Sequence, residues 1–188
     1  MIPECSLTSG TPCKDSSSGK VWSDRSSSTM TWANAKTYCD NLTTGGFYDW
    51  HLPSINELRT LITNCSATQT GGSCGITNSC SESSCQNDAC TSCTSNNTHS
   101  KINLSSSVWS TTSYSKSYKS SCTTSGSTCN CSTSSATYVW YVNFTNANIT
   151  SASTKSYTSY FGRIISSIKC DSVSEVVSAA SHYAICVR

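Results

Sequence analysis

The apolar positions of this chain fall into short periodic islands separated by long runs of Ser, Thr, Asn and Gly. Val21-Trp22 is a first strand candidate. Thr31 then opens a helix in which Trp32, Ala35, Cys39 and Leu42 recur at spacings of three and four, one stripe of a helical face. Gly45-Gly46 ends it, since glycine takes the left-handed cap conformation freely. A second helix follows Asp49-Trp50-His51-Leu52-Pro53. Ser54 and Glu57 have the spacing of a capping box, in which hydroxyl and carboxylate each accept from the other residue's amide. Ile55, Leu58, Leu61 and Ile62 form its apolar stripe.

Further on the period changes from helical to strand-like. Val108-Trp109-Ser110-Thr111 reads as a strand. The clearest alternation runs from Tyr138 to Phe144: Tyr138, Trp140, Val142 and Phe144 on one face, Val139, Tyr141 and Asn143 on the other. Asn146-Ala147-Asn148 reads as a turn into Ile149-Thr150. Residues 160–168 and 183–187 are expected strands. Two stretches lack any period, 64–100 and 112–137, and both are read as irregular cysteine-bearing loops. The whole of 1–188 is read as one α+β domain, with 1–20 as an N-terminal lead.

Composition explains why the islands are so sparse. The 188 residues include 43 Ser and 26 Thr, whereas Leu, Ile, Val and Phe total 27, below the roughly 20% that flags disorder. Disorder also calls for high net charge, and here it is +2 with 12% charged residues. Fourteen cysteines offer the alternative, a thin core supplemented by disulfides. That points to export rather than to a reducing cytosol. The first five residues have neither a basic start nor an apolar run, so a targeting segment is expected to have been removed ahead of this sequence. No run is long enough for a transmembrane helix, and no basic stripe of the nucleic-acid kind is present.

The first irregular stretch holds Cys65, Cys74, Cys80, Cys85, Cys90 and Cys93, an even number that allows a self-contained set of bridges whose pairing the sequence leaves open. The second holds Cys122, Cys129 and Cys131. Cys129 and Cys131 are too close for an unstrained mutual bridge, so each is expected to have a different partner, with Cys170 a candidate. Cys5, Cys13, Cys39 and Cys186 complete the set. Cys90-Thr91-Ser92-Cys93 near His99 has half of a zinc pattern, but a second ligand pair is missing. Structural disulfides are the favoured reading, and no cofactor is expected.

Several motifs stand in a fixed order: Met30-Thr31-Trp32-Ala33-Asn34-Ala35 with Tyr38-Cys39, Asp49-Trp50-His51-Leu52-Pro53-Ser54 with Glu57-Leu58 and Leu61-Ile62, Val108 to Tyr114, Trp140-Tyr141-Val142-Asn143-Phe144, and Cys186-Val187-Arg188. Together they resemble the C-terminal domain family of the Legionella collagen-like protein, a bacterial branch of the C-type-lectin-like fold, over about residues 20 to 188, with the two cysteine-rich stretches outside the resemblance. His51 departs from the usual Arg. The resemblance implies two helices packed on a curled antiparallel sheet, adjacent chain ends and a bridge from Cys39 to Cys186. It also admits a homotrimer or a place in a larger surface fibre.

Candidate chemistry is weighed on that frame. Related formylglycine-generating enzymes use a copper-binding cysteine pair, and Cys80 and Cys85 have a similar spacing, but in an insertion. His51, His99 and His182 have no acidic neighbour in sequence that would suggest a triad. Pro3, Pro12 and Pro53 lie outside any calcium-lectin motif, and an oxygen cage for calcium is not indicated. The suggestive surface is Tyr114, Lys116, Tyr118 and Lys119, with Lys155, Tyr157 and Tyr160 as a second group. Aromatic and Lys side chains among Ser and Asn are suited to adaptable contacts with a glycan or a cell-surface protein. The five Trp are expected in the core. The expectation is a non-enzymatic recognition or adhesion module at a bacterial surface. The alternatives are an enzyme using a cysteine pair and a purely structural, disulfide-armoured domain.

Overall fold

The computed structural model describes residues 2–8, 12–94, 99–125, 128–166 and 169–188; side chains at 124–129, 158 and 160–176 lie outside the description. Strands β1 (Cys13–Asp15) and β2 (Lys20–Trp22) form an antiparallel hairpin. Helix α1 (Trp32–Asp40) follows, capped by the Thr31 hydroxyl. Helix α2 (Ile55–Leu61) carries the expected capping box: the Ser54 hydroxyl accepts from the Glu57 amide at 3.3 Å, and Glu57 accepts from the Ser54 amide at 2.9 Å. Strands β3 (Ser107–Ser125), β4 (Thr128–Asn143) and β5 (Asn148–Ser153) make an antiparallel meander. Strands β6 (Tyr157–Ser166) and β7 (Lys169–Val177) make a separate hairpin.

The alternation along β4 places one core on each face of the meander. Trp140, Val142 and Phe144 pack with Ile55, Leu58 and Leu61 of α2. Val139 and Tyr141 pack with Trp109, Trp50, and Ala35 and Cys39 of α1. Trp22, Trp50, Trp109 and Trp140 are buried as expected, whereas Trp32 is half-buried and donates its indole N–H to the Ser110 carbonyl at 2.8 Å.

Three expectations need correction. Helix α1 ends at Asp40 with Asn41 as its C-cap, and Gly45-Gly46 lie in a separate 3-10 turn beyond it. Residues 112–137 are not an irregular loop. They are the outer part of the β3–β4 hairpin, in register from Tyr114 opposite Tyr138 to Ser125 opposite Thr128, with bulges at Ser110–Thr112 and at Ser120. Its faces carry hydroxyls, Tyr and Lys instead of apolar and polar alternation, which is why it reads as formless. Residues 183–187 form isolated bridges, not a continuous strand. Tyr183 pairs with Val108, and Val187 with both Trp22 and His51, so three different segments share the bonding and no ladder develops. These bonds bring the C-terminal residues to β2, with Arg188 and Val21 exchanging backbone bonds at 3.0 and 3.1 Å. Of the expected strand 160–168, residues up to 166 belong to β6, and 167–168 lie outside the described residues.

Among the described residues there are six disulfides. Cys39–Cys186 joins α1 to the C-terminal segment, as the resemblance implied. Cys5–Cys13 closes the lead onto β1. Cys65–Cys93, Cys74–Cys90 and Cys80–Cys85 are nested one inside another, so the first loop is self-contained. Cys122 and Cys131, directly opposite in register, clamp the outer hairpin. The side chains of Cys129 and Cys170 lie outside the description, and so does the suggested pairing of Cys170.

Candidate recognition surface

The register of the hairpin sorts its outer residues by face. Tyr114, Lys116 and Tyr118 share one face with Tyr138, Ala136 and Ser134; Ser113, Ser115, Ser117 and Lys119 share the other with Thr137, Ser135 and Thr133. The first face carries a continuous aromatic row. Tyr114 lies 5.4 Å from the Trp140 ring and stacks on Tyr138 at 5.5 Å. The Tyr138 and Tyr157 hydroxyls are 2.6 Å apart, and Tyr157 stacks on Tyr118 at 4.1 Å. Lys116 sits over the Tyr138 ring at 5.4 Å, a cation–π distance.

Four of the expected residues, Tyr114, Lys116, Tyr118 and Tyr157, are therefore brought together. The row has two roles by position. Its inner end is core: Tyr114 is 8% exposed and its hydroxyl bonds Ser151 at 3.0 Å. Its outer end, Tyr118 and Tyr157, is half-exposed and joins the two hairpins. Lys119 points to the opposite face, 3.1 Å from the Thr133 hydroxyl. Lys155 is exposed at the start of the β6 hairpin. The Tyr160 side chain lies outside the described residues.

The other irregular stretch is ordered by a residue absent from the expected set. Arg59 is 3% exposed. Its Nε donates to the carbonyls of Thr68 and Gln69, Nη1 to Cys74 and Ile76, and Nη2 to Gln69 and Gly72, at 2.7 to 3.3 Å. The signal was available, since Arg59 lies four residues from Ile55 and three from Ile62, on the buried stripe. The loop is also clipped to the sheet by the Trp140 indole N–H donating to Ser81 at 2.6 Å. Asn56 and Asn78 exchange backbone-to-side-chain bonds at 3.2 Å, and Thr112 donates to Asn78.

The candidate redox and metal residues are otherwise engaged. Cys80 and Cys85 are bonded to each other, and Cys90 and Cys93 of the half zinc pattern pair with Cys74 and Cys65. His99 is 1% exposed, its ring nitrogens at 3.2 and 2.8 Å from the Thr63 and Thr94 carbonyls. His51 does have an acidic neighbour through space, Glu57 at 3.6 Å. His182 lies against Trp109 and Tyr141 with ring centroids 4.4 and 4.0 Å away, and burial pushes its imidazole pKa down to about 4.

These features define a small, disulfide-stapled α+β domain with a two-sided core, a cross-linked loop packed against one side of it, and a hairpin arm. The chain belongs to the Lcl C-terminal domain family, whose profile matches residues 12–166. No curated protein and no solved structure matches it significantly. No helix among the described residues is long and apolar enough to cross a membrane, and the disulfide content is consistent with an exported domain.

Proposed function

We propose that this domain is a non-enzymatic, extracellular recognition module of the C-type-lectin-like type, with the β3–β4 arm as a contact surface for a glycan or protein on another cell. The observation that carries the reading is the aromatic row ending in half-exposed Tyr118 and Tyr157, with Lys116 over Tyr138, exposed Lys119 on the opposite face of the arm and exposed Lys155 at the start of the β6 hairpin. Stacked tyrosines supply rigid amphipathic area, and lysines on an exposed arm pair with sulfates or carboxylates. The clamp at Cys122–Cys131 limits the ordering entropy lost on binding. An enzyme acting through the Cys80–Cys85 pair would first require that disulfide to be reduced. The test is a glycan array followed by titration of the Lys116→Ala/Lys119→Ala variant. Binding to an anionic ligand should weaken several-fold, and the difference should shrink at high salt. An unchanged affinity would remove the arm from the reading.

A further inference from the structure

The turn between β1 and β2 faces the C-terminal end of α2 and the start of the cross-linked loop, and a concavity of about 510 Å³ lies between them. Ser17 and Ser18 line one side; Thr60, Thr63, Gln69 and Thr70 line the other. Past Ser17, Thr63 and Lys101 the same groove opens into a second concavity of about 700 Å³, bordered by Glu4, Asn64 and Ser100.

The walls are fixed before any ligand arrives. Cys5–Cys13 and Cys65–Cys93 tie the segments on each side. The Arg59 guanidinium holds the Gln69 backbone in place, and the Lys101 amide donates to the Leu61 carbonyl at 3.0 Å. The floor is a built polar centre. Asp15 is 4% exposed and accepts from the hydroxyls of Ser17 at 2.7 Å and Ser18 at 2.6 Å, and from Lys101 Nζ at 3.2 Å. Lys101 Nζ also donates to the Ser17 hydroxyl at 2.7 Å. Burial alone would raise the Asp15 pKa, but these hydrogen bonds outweigh it and hold the carboxyl below its usual value.

The chemistry differs from that of the arm. Each ammonium in the groove already has a carboxylate: Lys101 with Asp15 at 3.2 Å and Lys20 with Glu57 at 2.8 Å. The Arg59 guanidinium also lines the groove without a carboxylate, but it is 3% exposed and its N–H groups are spent on loop carbonyls, so little field is left to attract a polyanion. Carbon makes up much of the lining, from Ile62, Leu7, Cys5 and the stems of the Thr and Lys side chains, but no aromatic ring is among the lining residues to anchor a flat hydrophobic ligand. What remains are hydroxyls, a side-chain amide and two ion pairs, donors and acceptors side by side. A ligand whose every edge both donates and accepts matches such a lining, and the volume is that of an ordinary small-ligand cleft.

We propose that the groove between the β1–β2 turn, α2 and residues 69–70 binds a neutral, hydroxyl-rich oligosaccharide, at a site distinct from the lysine-bearing arm. This rests on the recognition reading above and adds a second ligand class to it. The Ser17, Thr63 and Thr70 hydroxyls accept from and donate to sugar hydroxyls, Lys101 supplies a fixed donor, and the buried Asp15 carboxylate holds Ser17 and Lys101 in place.

The test is a titration, followed by amide NMR shifts, of maltotriose, mannotriose and chitotriose, with a sulfated oligosaccharide as the charged comparison. At least one neutral sugar should shift amides of residues 15–20, 60–63 and 69–70, with an affinity unchanged between low and high salt. Thr70→Trp, or Thr63→Trp on the neighbouring turn, fills the groove and should weaken that binding at least about tenfold, with melting unchanged in at least one of them. Lys116→Ala/Lys119→Ala should leave it untouched. If no neutral sugar binds while the sulfated one does, the groove proposal is overturned and the arm reading stands. Neutral binding that survives both Trp variants also overturns it. Failure of neutral and sulfated sugars alike removes the groove proposal and the glycan form of the recognition reading together.

Discussion

Replacing Arg59 by Met isolates what the guanidinium does for the cross-linked loop. Methionine keeps the apolar stem and removes every donor. Five carbonyls lose the guanidinium, those of Thr68, Gln69, Gly72, Cys74 and Ile76, though Gln69 keeps the Gly72 amide. Gln69 and Gly72 are half-exposed and can turn to water, whereas Thr68, Cys74 and Ile76 are buried and cannot. A buried carbonyl left unpaired costs about 1–3 kcal/mol, so three give roughly 3–9 kcal/mol before relief. Relief is real, because the wild type holds a guanidinium away from water with no carboxylate bound to it, and that desolvation disappears in the variant. The net loss expected is roughly 3 kcal/mol, a large part of a domain's usual 5–15 kcal/mol. In a chain of this length that is a fall in Tm of about 6–12 °C.

The assay is thermal or urea unfolding under non-reducing conditions, with hydrogen exchange resolved over residues 65–93. The nested disulfides keep the loop from separating, so part of the loss should show as faster exchange at 68–76 alone. Arg59→Lys has three donors on one nitrogen and should recover about half of the loss. A Met variant losing under about 1 kcal/mol with unchanged exchange at 68–76 would refute the idea that the guanidinium orders the loop.

Two further predictions come from the aromatic contacts. The imidazole pKa of His182 is lowered by burial from 6.5 to about 4, so the unfolded chain binds more protons than the folded one between those values. Its contribution is complete above about pH 6.5 and is lost as the pH falls through 4; after discounting for partial exposure it is about 1–2 kcal/mol. His182→Phe should flatten the acid limb of the stability profile, and an unchanged slope would assign that limb to other groups. Tyr157→Ala removes the 4.1 Å stack on Tyr118 and the bond to the Tyr138 hydroxyl. It should cost about 1–2 kcal/mol and speed exchange across β6 and β7 while leaving β4 and β5 protected.

The sequence carries the elements that bury an apolar stripe. The α2 capping box and the two faces of β4 stand in the structure as their spacing implies, because burial imposes a period that can be read. The outer hairpin resembles a loop in sequence for the opposite reason: neither of its faces is an apolar core layer beyond Tyr114, so no contrast marks it. A fainter signal was present in Tyr114-Ser115-Lys116-Ser117-Tyr118, which alternates with period two. Arg59 sat on a legible stripe but carries the wrong chemistry for one, and its partners are loop carbonyls that no sequence pattern marks. The groove was illegible altogether. Asp15 and Lys101 are 86 residues apart, and only the fold makes them neighbours.

Stability and the proposed contact surface are divided in this domain, and the disulfides mark the division. Both sulfur-bearing residues are buried in Cys39–Cys186 and Cys74–Cys90, and one is buried in Cys5–Cys13 and Cys65–Cys93. Cys80–Cys85 and Cys122–Cys131, on the loop and on the arm, have no buried member. Reduction requires a thiolate to reach a sulfur, so access sets the order when the fold stays closed. Stepwise reduction of the native protein, with alkylation and peptide mass analysis, should open Cys80–Cys85 and Cys122–Cys131 first and leave Cys39–Cys186 among the last. The earlier stages should loosen the loop and the arm with little change in the core, whereas the loss of Cys39–Cys186 releases a closed span of 147 residues, worth about 5 kcal/mol on the chain-entropy scale. Ligand contact should therefore fail before the fold does. Alkylation of Cys39 or Cys186 at the same reductant concentration as Cys80 and Cys122 would mean that the domain opens as one unit, and the division would be wrong.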